Sequence, residues 1–332
     1  CTDIGLAEMM ASGISSFSDM YMFCDTIAEH TEAAGLKMNI ARGLTCFSDE
    51  FDFKTYPSAV ETSELLGRWN GADGGRILVD ACIHGEYTSN EKVWRSVAEF
   101  AAENSLGIHL HLSETKSEHE QCIQKYGRTP ARVFADCGVF DVPVNAAHCV
   151  WVSGDDIRLM AESGATAVHN PVSNMKLASG IAPVPELKRA GVNIALGTDG
   201  VSSNNSHDMF EEIKLAALIH KATTFDPKMI TAFEAIEMAT VNGARAQRRE
   251  DSGRLREGFD ADIAVLDFDR PHLTPCHDVM SNLVFSARGS DVVMNMVRGE
   301  IIYKDGEFLT LDIERAKYEM ERYVLPTVCG VK

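Results

Sequence analysis

Along the chain, short runs rich in β-branched and apolar residues alternate with longer stretches whose apolar positions recur every three or four residues. The short runs read as strands: "GISSFSDM" (13–20), "LKMNIAR" (36–42), "RILVDACIH" (76–84), "GIHLHLS" (107–113), "VNAAHC" (144–149), "ATAVHN" (165–170) and "VNIALGTD" (192–199). The stretches at 57–70, 91–105, 115–126, 153–163, 183–190 and 207–221 read as amphipathic helices, and "DIGLAEMMASG" near the start reads as another. Such alternation predicts a parallel sheet with helices outside it. A doubly wound sheet would use the same alternation. It normally carries a Gly-rich phosphate turn after an early strand, and no G-x-G-x-x-G follows one here. Seven β/α units fall one short of the eight that close a barrel. With no initiator Met before Cys1, the reading is an α/β chain, a (β/α)8 TIM-type barrel over residues 1–250 whose first β/α unit lies upstream.

From about Ser252 the pattern changes. "GRLREGFDADIAVLDFD" and "DVVMNMVRGEIIYKDGEFLT" alternate apolar and polar positions and turn at Gly or Asp-Gly, which is hairpin chemistry. They predict the C-terminal part of a small β-sandwich over 251–311. "DIERAKYEMERYVLP" predicts a terminal helix within 312–332, capped by Asp312 and stopped at Pro326.

Composition narrows the classes of partner. Forty-nine acidic residues against 31 basic ones, net −18, argue against nucleic acid or an anionic membrane, because phosphate binding needs clustered Lys and Arg. No run approaches the ~18–20 apolar residues of a membrane span. The nine cysteines are scattered with no Cys-x-x-Cys pair, which reads as reduced thiols in a cytoplasmic protein. A small-molecule partner is expected, and a homo-oligomer is left open.

Polar residues then single out one end of the barrel. His84, His111, His148, His169 and Asp199 end five of the seven strands, and chemistry in such barrels sits at the carboxyl ends. His109 and His111 are two residues apart and point to the same side, into the barrel. His111 is nearer the carboxyl end and can reach a metal there, whereas His109 lies about 6–7 Å deeper and fills the interior. Glu114 falls just past the strand end, where a carboxylate can lean over the mouth. A hydrolytic metal site needs nitrogen or oxygen ligands, an open position for water and a nearby acid/base. His111 and Asp199 read as ligands, Glu114 as the proton shuttle, and His148 as a positioner or electrostatic helper. One divalent metal is expected, Zn2+ before Fe2+ or Ni2+. Two ligands are too few, so others must come from elsewhere.

The order "HLHLSETKSE", "NAAHCVWVS", "AVHNPVSNMKLASGIAPV" and "ALGTDGVSSNNSHDMFEEIKLAALIHK" resembles the amidohydrolase superfamily, and within it the 5-methylthioadenosine/S-adenosylhomocysteine deaminases. "GRLREGFDADIAVLDFD" looks like their C-terminal sandwich, so the likeness runs along essentially the whole chain. The resemblance implies a mononuclear metal held by a His-x-His on strand one, a His on strand five and an Asp on strand eight. His111 matches on strand five, His148 on strand six, Asp199 on strand eight, and Glu114 matches the catalytic glutamate. "HLH" at 109–111 is not the strand-one pair, which is expected upstream of Cys1. The likeness further implies that His84 contacts the purine with Ser203 beside it. Arg42 would meet the ribose side or an amino-acid carboxylate, or else face solvent, and His169 would brace a loop. His84 follows Ile83 where relatives often carry Pro, which puts the local pocket in question. The implied reaction is hydrolytic deamination of an adenosyl thioether to its inosyl product and ammonia. A guanine- or triazine-type aminohydrolase or chlorohydrolase, or an inactive fragment lacking two ligands, are the alternatives.

Overall fold

The computed structural model describes residues 1–330. Seven parallel staves form the main wall. The first two are β1 (Ser16–Tyr21) and β2 (Lys37–Arg42), and the third is split into β3 (Ile77–Val79) and β4 (Ala81–Ile83). The others are β5 (Ile108–Leu112), β6 (Val144–His148), β7 (Thr166–His169) and β8 (Asn193–Leu196). Pairing runs β1-β2-β3 and β4-β5-β6-β7-β8, every neighbour parallel. The continuous strand expected over 76–84 is interrupted at Asp80. There the chain changes partner: Asp80 N–H donates to the Ile40 carbonyl at 3.0 Å and Ala81 N–H to the Gly107 carbonyl at 2.9 Å. Among the described residues β1 and β8 each pair on one side only.

Alternation along each stave sorts the residues between two sides of the wall. In β5, Ile108, Leu110 and Leu112 are fully buried against the helices, while His109 and His111 face the lumen. The helix Glu91–Glu103 packs Val93, Trp94, Val97 and Ala101 into that layer. It starts where the Asn90 side chain accepts from the N–H groups of Lys92 and Val93. The helices Lys116–Tyr126 and Gly154–Ser163 start in the same way, each with a reciprocal capping box and each ending on a left-handed glycine. The helix expected at 207–221 runs Met209–Thr224 from the Asp208 cap. Helices at Cys24–Ala34, Ala232–Ala239, Val241–Ala246 and Val279–Phe285 were not expected from the pattern. None of the described helices is long and apolar enough to cross a membrane.

The hairpin segment forms a four-stranded antiparallel sheet in the order β12-β11-β10-β9, from β9 (Ile263–Leu266), β10 (Val292–Val297), β11 (Glu300–Lys304) and β12 (Glu307–Phe308). Val297 and Ile302 of this sheet bury against Leu6, Met9 and Met10 of the first helix, Thr2–Ala11. At the amino-terminal floor of the barrel, Lys37 is 1% exposed and donates to Ser252 Oγ at 2.8 Å and Asp260 Oδ2 at 3.0 Å while pairing with Asp262. Beside it Arg249 donates to the carbonyls of Met38, Gly75 and Arg76. The terminal helix starts at Ile313 on its Asp312 cap, but Pro326 does not stop it. A π turn at Met320–Val324 has already broken the regular ladder, so Pro326 opens a new segment, Leu325–Cys329, where its missing N–H costs no bond.

Candidate active site

The carboxyl ends of the staves gather four groups at one mouth. His111 Nδ1 lies 2.7 Å from the His84 carbonyl oxygen, which can only accept, so the proton sits on Nδ1 and Nε2 keeps its lone pair. Burial, with His148 and His84 close by, pushes the His111 imidazole down to about 3. A neutral ring with a bare Nε2 and a backbone-anchored Nδ1 is the form in which histidine binds metal. The ring of His148 stacks on it, with centroids 5.4 Å apart and planes 15° from parallel.

His148 ends β6 and is 2% exposed. Its Nδ1 meets Asn174 Oδ1 at 2.9 Å, and its Nε2 looks toward Glu114 Oε2 at 3.8 Å and Asp199 Oδ2 at 4.0 Å. Both separations exceed a hydrogen bond and leave room for something between the groups. Asp199 stands three residues beyond the end of β8, not on the strand as the pattern implied. Its Oδ2 accepts from Ser173 Oγ at 2.7 Å and its Oδ1 from Gly200 N–H at 2.6 Å. Glu114 Oε1 accepts from Ser179 Oγ at 3.3 Å. Ser113, His148, Cys149 and Asp199 all hold positive φ, between 48° and 72°, so the chain turns sharply where each loop leaves its stave.

Of the remaining residues named from sequence, His84 closes the side of the cluster, its ring 4.9 Å from that of His111. Thr88 Oγ1 sends its own proton to the Gly85 carbonyl and lies 3.1 Å from His84 Nδ1. It therefore accepts from Nδ1–H and leaves His84 Nε2 free, and burial holds this imidazole below its ordinary value. His109 is half-buried one layer beneath His111, with the Asp80 carboxylate close by. His169 pairs with His220, Nε2 to Nε2 at 3.3 Å, behind the cluster. Arg42 is engaged by Glu61 and by the Gly43 carbonyl at 2.6 Å, and so is turned toward the helix Pro57–Trp69. Ser203 lies in the turn after Asp199, its N–H donating to the Gly200 carbonyl at 2.9 Å.

Several groups that hold the site were not singled out from the sequence. Ser173 and Asn174, on the short helix Pro171–Lys176, reach Asp199 and His148, and Ser179, just beyond it, reaches Glu114. Glu212, fully buried, takes Asn204 Nδ2 at 2.6 Å and Val172 N–H at 3.2 Å, binding the loop after β8 to the loop after β7. Burial pushes its carboxyl up to about 7. Glu118 had a readable signal, the Thr-x-x-Glu capping box at 115–118.

Among the described residues no group of three or more His, Cys, Asp or Glu side chains is drawn together tightly enough to hold a metal ion. The donors that are present have the chemistry of a partial ligand set: a neutral imidazole held through its other nitrogen, and a carboxylate each of whose oxygens accepts one hydrogen bond and keeps a second lone pair. The His-x-His that the resemblance places on a first strand has no counterpart among the described residues.

The 5-methylthioadenosine/S-adenosylhomocysteine deaminase of Caldanaerobacter subterraneus subsp. tengcongensis is 42% identical over 321 residues, 96% of this chain and 73% of that one. The 5'-deoxyadenosine deaminase of Methanosarcina mazei is 42% identical over 315 residues, 95% of this chain and 72% of that one. A crystal structure of an adenosine deaminase from Xanthomonas campestris with bound zinc superposes with a TM-score of 0.91 at 30% identity, covering 98% of this chain and 75% of that one. The profile of the amidohydrolase family matches residues 2–302, and the chain belongs to that family.

Proposed function

We propose that the protein hydrolytically deaminates the adenine ring of a 5'-modified adenosine, with 5'-methylthioadenosine and S-adenosylhomocysteine as its substrates, giving the inosyl product and ammonia. The observation that carries this reading is the convergence of a neutral His111, Glu114, His148 and Asp199 on one mouth, in a chain 42% identical to deaminases of such nucleosides. A divalent metal would be held by His111 Nε2 and Asp199, zinc in our reading with Fe2+ or Ni2+ as alternatives, and when bound it supplies the Lewis acidity that makes water a nucleophile at neutral pH.

The chain's own groups do the rest. Asp199, fixed by Ser173 and Gly200, and His148, fixed by Asn174, aim acceptors at the attacking water and take its proton. The water oxygen bonds to C6 of the purine. Glu114, steadied by Ser179, gives a proton to ring N1, takes up a proton released from the water-derived oxygen as the C6 carbonyl forms, and passes it to the departing amine, so that the C6–N6 bond breaks and ammonia leaves. His84, with Nε2 free, faces the purine, and Ser203 and Arg42 are proposed to line the nucleoside side. For Arg42 this requires release from Glu61. All nine cysteines are free thiols, six of them buried, which supports the cytoplasmic setting we propose.

The test is ammonia release from methylthioadenosine, S-adenosylhomocysteine, adenosine and guanine, with metal content measured on the same sample. Turnover is expected on the adenosyl thioethers. A metal-loaded protein that deaminates no adenine nucleoside would refute the substrate. Glu114→Gln should keep the metal and lower kcat on the order of a hundredfold to ten-thousandfold, and near-normal turnover would remove Glu114 from its role.

A further inference from the structure

Beside the mouth, two carboxyl groups face each other with no cation between them. Glu86 is 2% exposed and Glu118 is 6% exposed. Glu86 opens the short turn Glu86–Thr88, which is separated from His84 by Gly85 alone and is closed by Thr88 Oγ1 and Ser89 Oγ donating to the Gly85 carbonyl. Glu118 is the third residue of the helix Lys116–Tyr126, which follows Glu114, and its Oε2 accepts from Thr115 N–H at 3.3 Å. The turn packs on this helix and brings the two carboxyls within hydrogen-bonding reach. One oxygen of each, Glu86 Oε2 and Glu118 Oε1, finds no donor elsewhere.

Two buried carboxylates this close, with no positive partner, cannot both be ionised, whereas one shared proton gives each orphaned oxygen a bond. We propose that Glu86 and Glu118 hold a single proton between them, forming a carboxyl–carboxylate clasp that fixes the spacing between the His84 turn and the Glu114 loop. Both are positioning residues, and their part in catalysis rests on the reading of His84 and Glu114 given above. The proton resides mainly on Glu86, whose carboxyl burial and Glu118 together push up to about 9. The other titratable groups facing the pair are Tyr87 on the same turn, Glu114 before the helix, Cys122 on it and Cys149 after β6, and none is a cation. Once the proton is lost, two like charges face each other and the clasp opens.

The experiment uses the full metal-loaded chain. Wild type, Glu86→Gln and Glu86→Ala are compared for kcat and KM on methylthioadenosine from about pH 6 to about pH 10, and by infrared spectroscopy of the carboxyl C=O stretch at neutral pH. Gln supplies a permanent N–H to Glu118, so Glu86→Gln should keep neutral-pH turnover and lose the alkaline decline of the wild type. Glu86→Ala should lower kcat on the order of tenfold with little change in KM. The wild type should show a protonated-carboxyl band at neutral pH that Glu86→Gln removes. An unchanged alkaline limb in Glu86→Gln, or an unchanged infrared band, overturns the proposal. Because Glu212 also contributes to such a band, the readout is the component that Glu86→Gln removes; it needs no turnover, and finding it in a protein that deaminates nothing would keep the clasp and reject only the substrate. Its absence would reject the clasp whatever the activity.

Discussion

The His169–His220 pair offers the sharpest physical prediction. The two residues are 2% and 1% exposed, their Nε2 atoms lie 3.3 Å apart, and no carboxylate bonds either ring. Burial holds His169 down at about 3 and His220 at about 4, so both are neutral in the folded protein at every pH where it is expected to work. In the unfolded chain each would titrate near 6.5. As pH falls below that value the unfolded state takes up protons that the folded state refuses. Stability is therefore full above about pH 6.5 and drains steadily from there toward pH 4, at about 1.4 kcal/mol per pH unit for each histidine. At pH 5 that amounts to about 2 kcal/mol apiece, a large share of the 5–15 kcal/mol typical of a folded domain. The assay is urea unfolding of wild type and His220→Gln at about pH 7.5 and about pH 5. Gln keeps a donor and an acceptor facing His169 and does not titrate. The variant should lose about 2 kcal/mol less than the wild type on acidification, whatever its stability at neutral pH. An equal loss in both proteins would mean that His220 is not held neutral and would refute the argument.

Two further outcomes follow from other parts of the molecule. Lys37→Met should cost about 3–5 kcal/mol of unfolding free energy by stranding Asp260 and Asp262, measured by denaturant titration, with turnover per folded molecule unchanged because the floor is far from the mouth. A loss under about 1 kcal/mol would show that the carboxylates find other partners. Removing the metal with a strong chelator should abolish ammonia release and lower Tm, and adding zinc back should restore both; an unaltered melting curve and rate would argue against a bound metal.

Much of this architecture was legible in the sequence because two periods were clean. The β-branched runs gave the staves, and alternation within β5 separated His109 and His111 from Ile108, Leu110 and Leu112 without further information. The break at Asp80 was not legible, since it reflects a change of neighbour from Ile40 to Gly107 and no change in local pattern. Of the helices at 232–246, Ala232–Ala239 had a readable signal in the Thr-x-x-Glu capping box at 231–234, whereas Val241–Ala246 is short and carries Gly243, which weakens any local helix signal. In the site, the groups proposed to react were legible and their supports were not. His111, His148, Glu114 and Asp199 occupy equivalent places at or just past the strand ends, a regularity that sequence preserves. Ser173, Asn174, Ser179 and Glu212 matter through contacts spanning 26 to 65 positions, created only when loops cross the mouth.

The left-handed backbone at Ser113, His148, Cys149 and Asp199 sets stability and chemistry against each other. Each non-glycine residue held there carries a conformational cost on the order of 1 kcal/mol, which glycine would not bear. Directed evolution toward heat resistance alone would thus drift to glycine at all four, including His148 and Asp199, whose side chains the proposed chemistry requires. Selection for turnover would restore the strained residues. The rim of the barrel is a place where the folded chain is deliberately less comfortable than it could be.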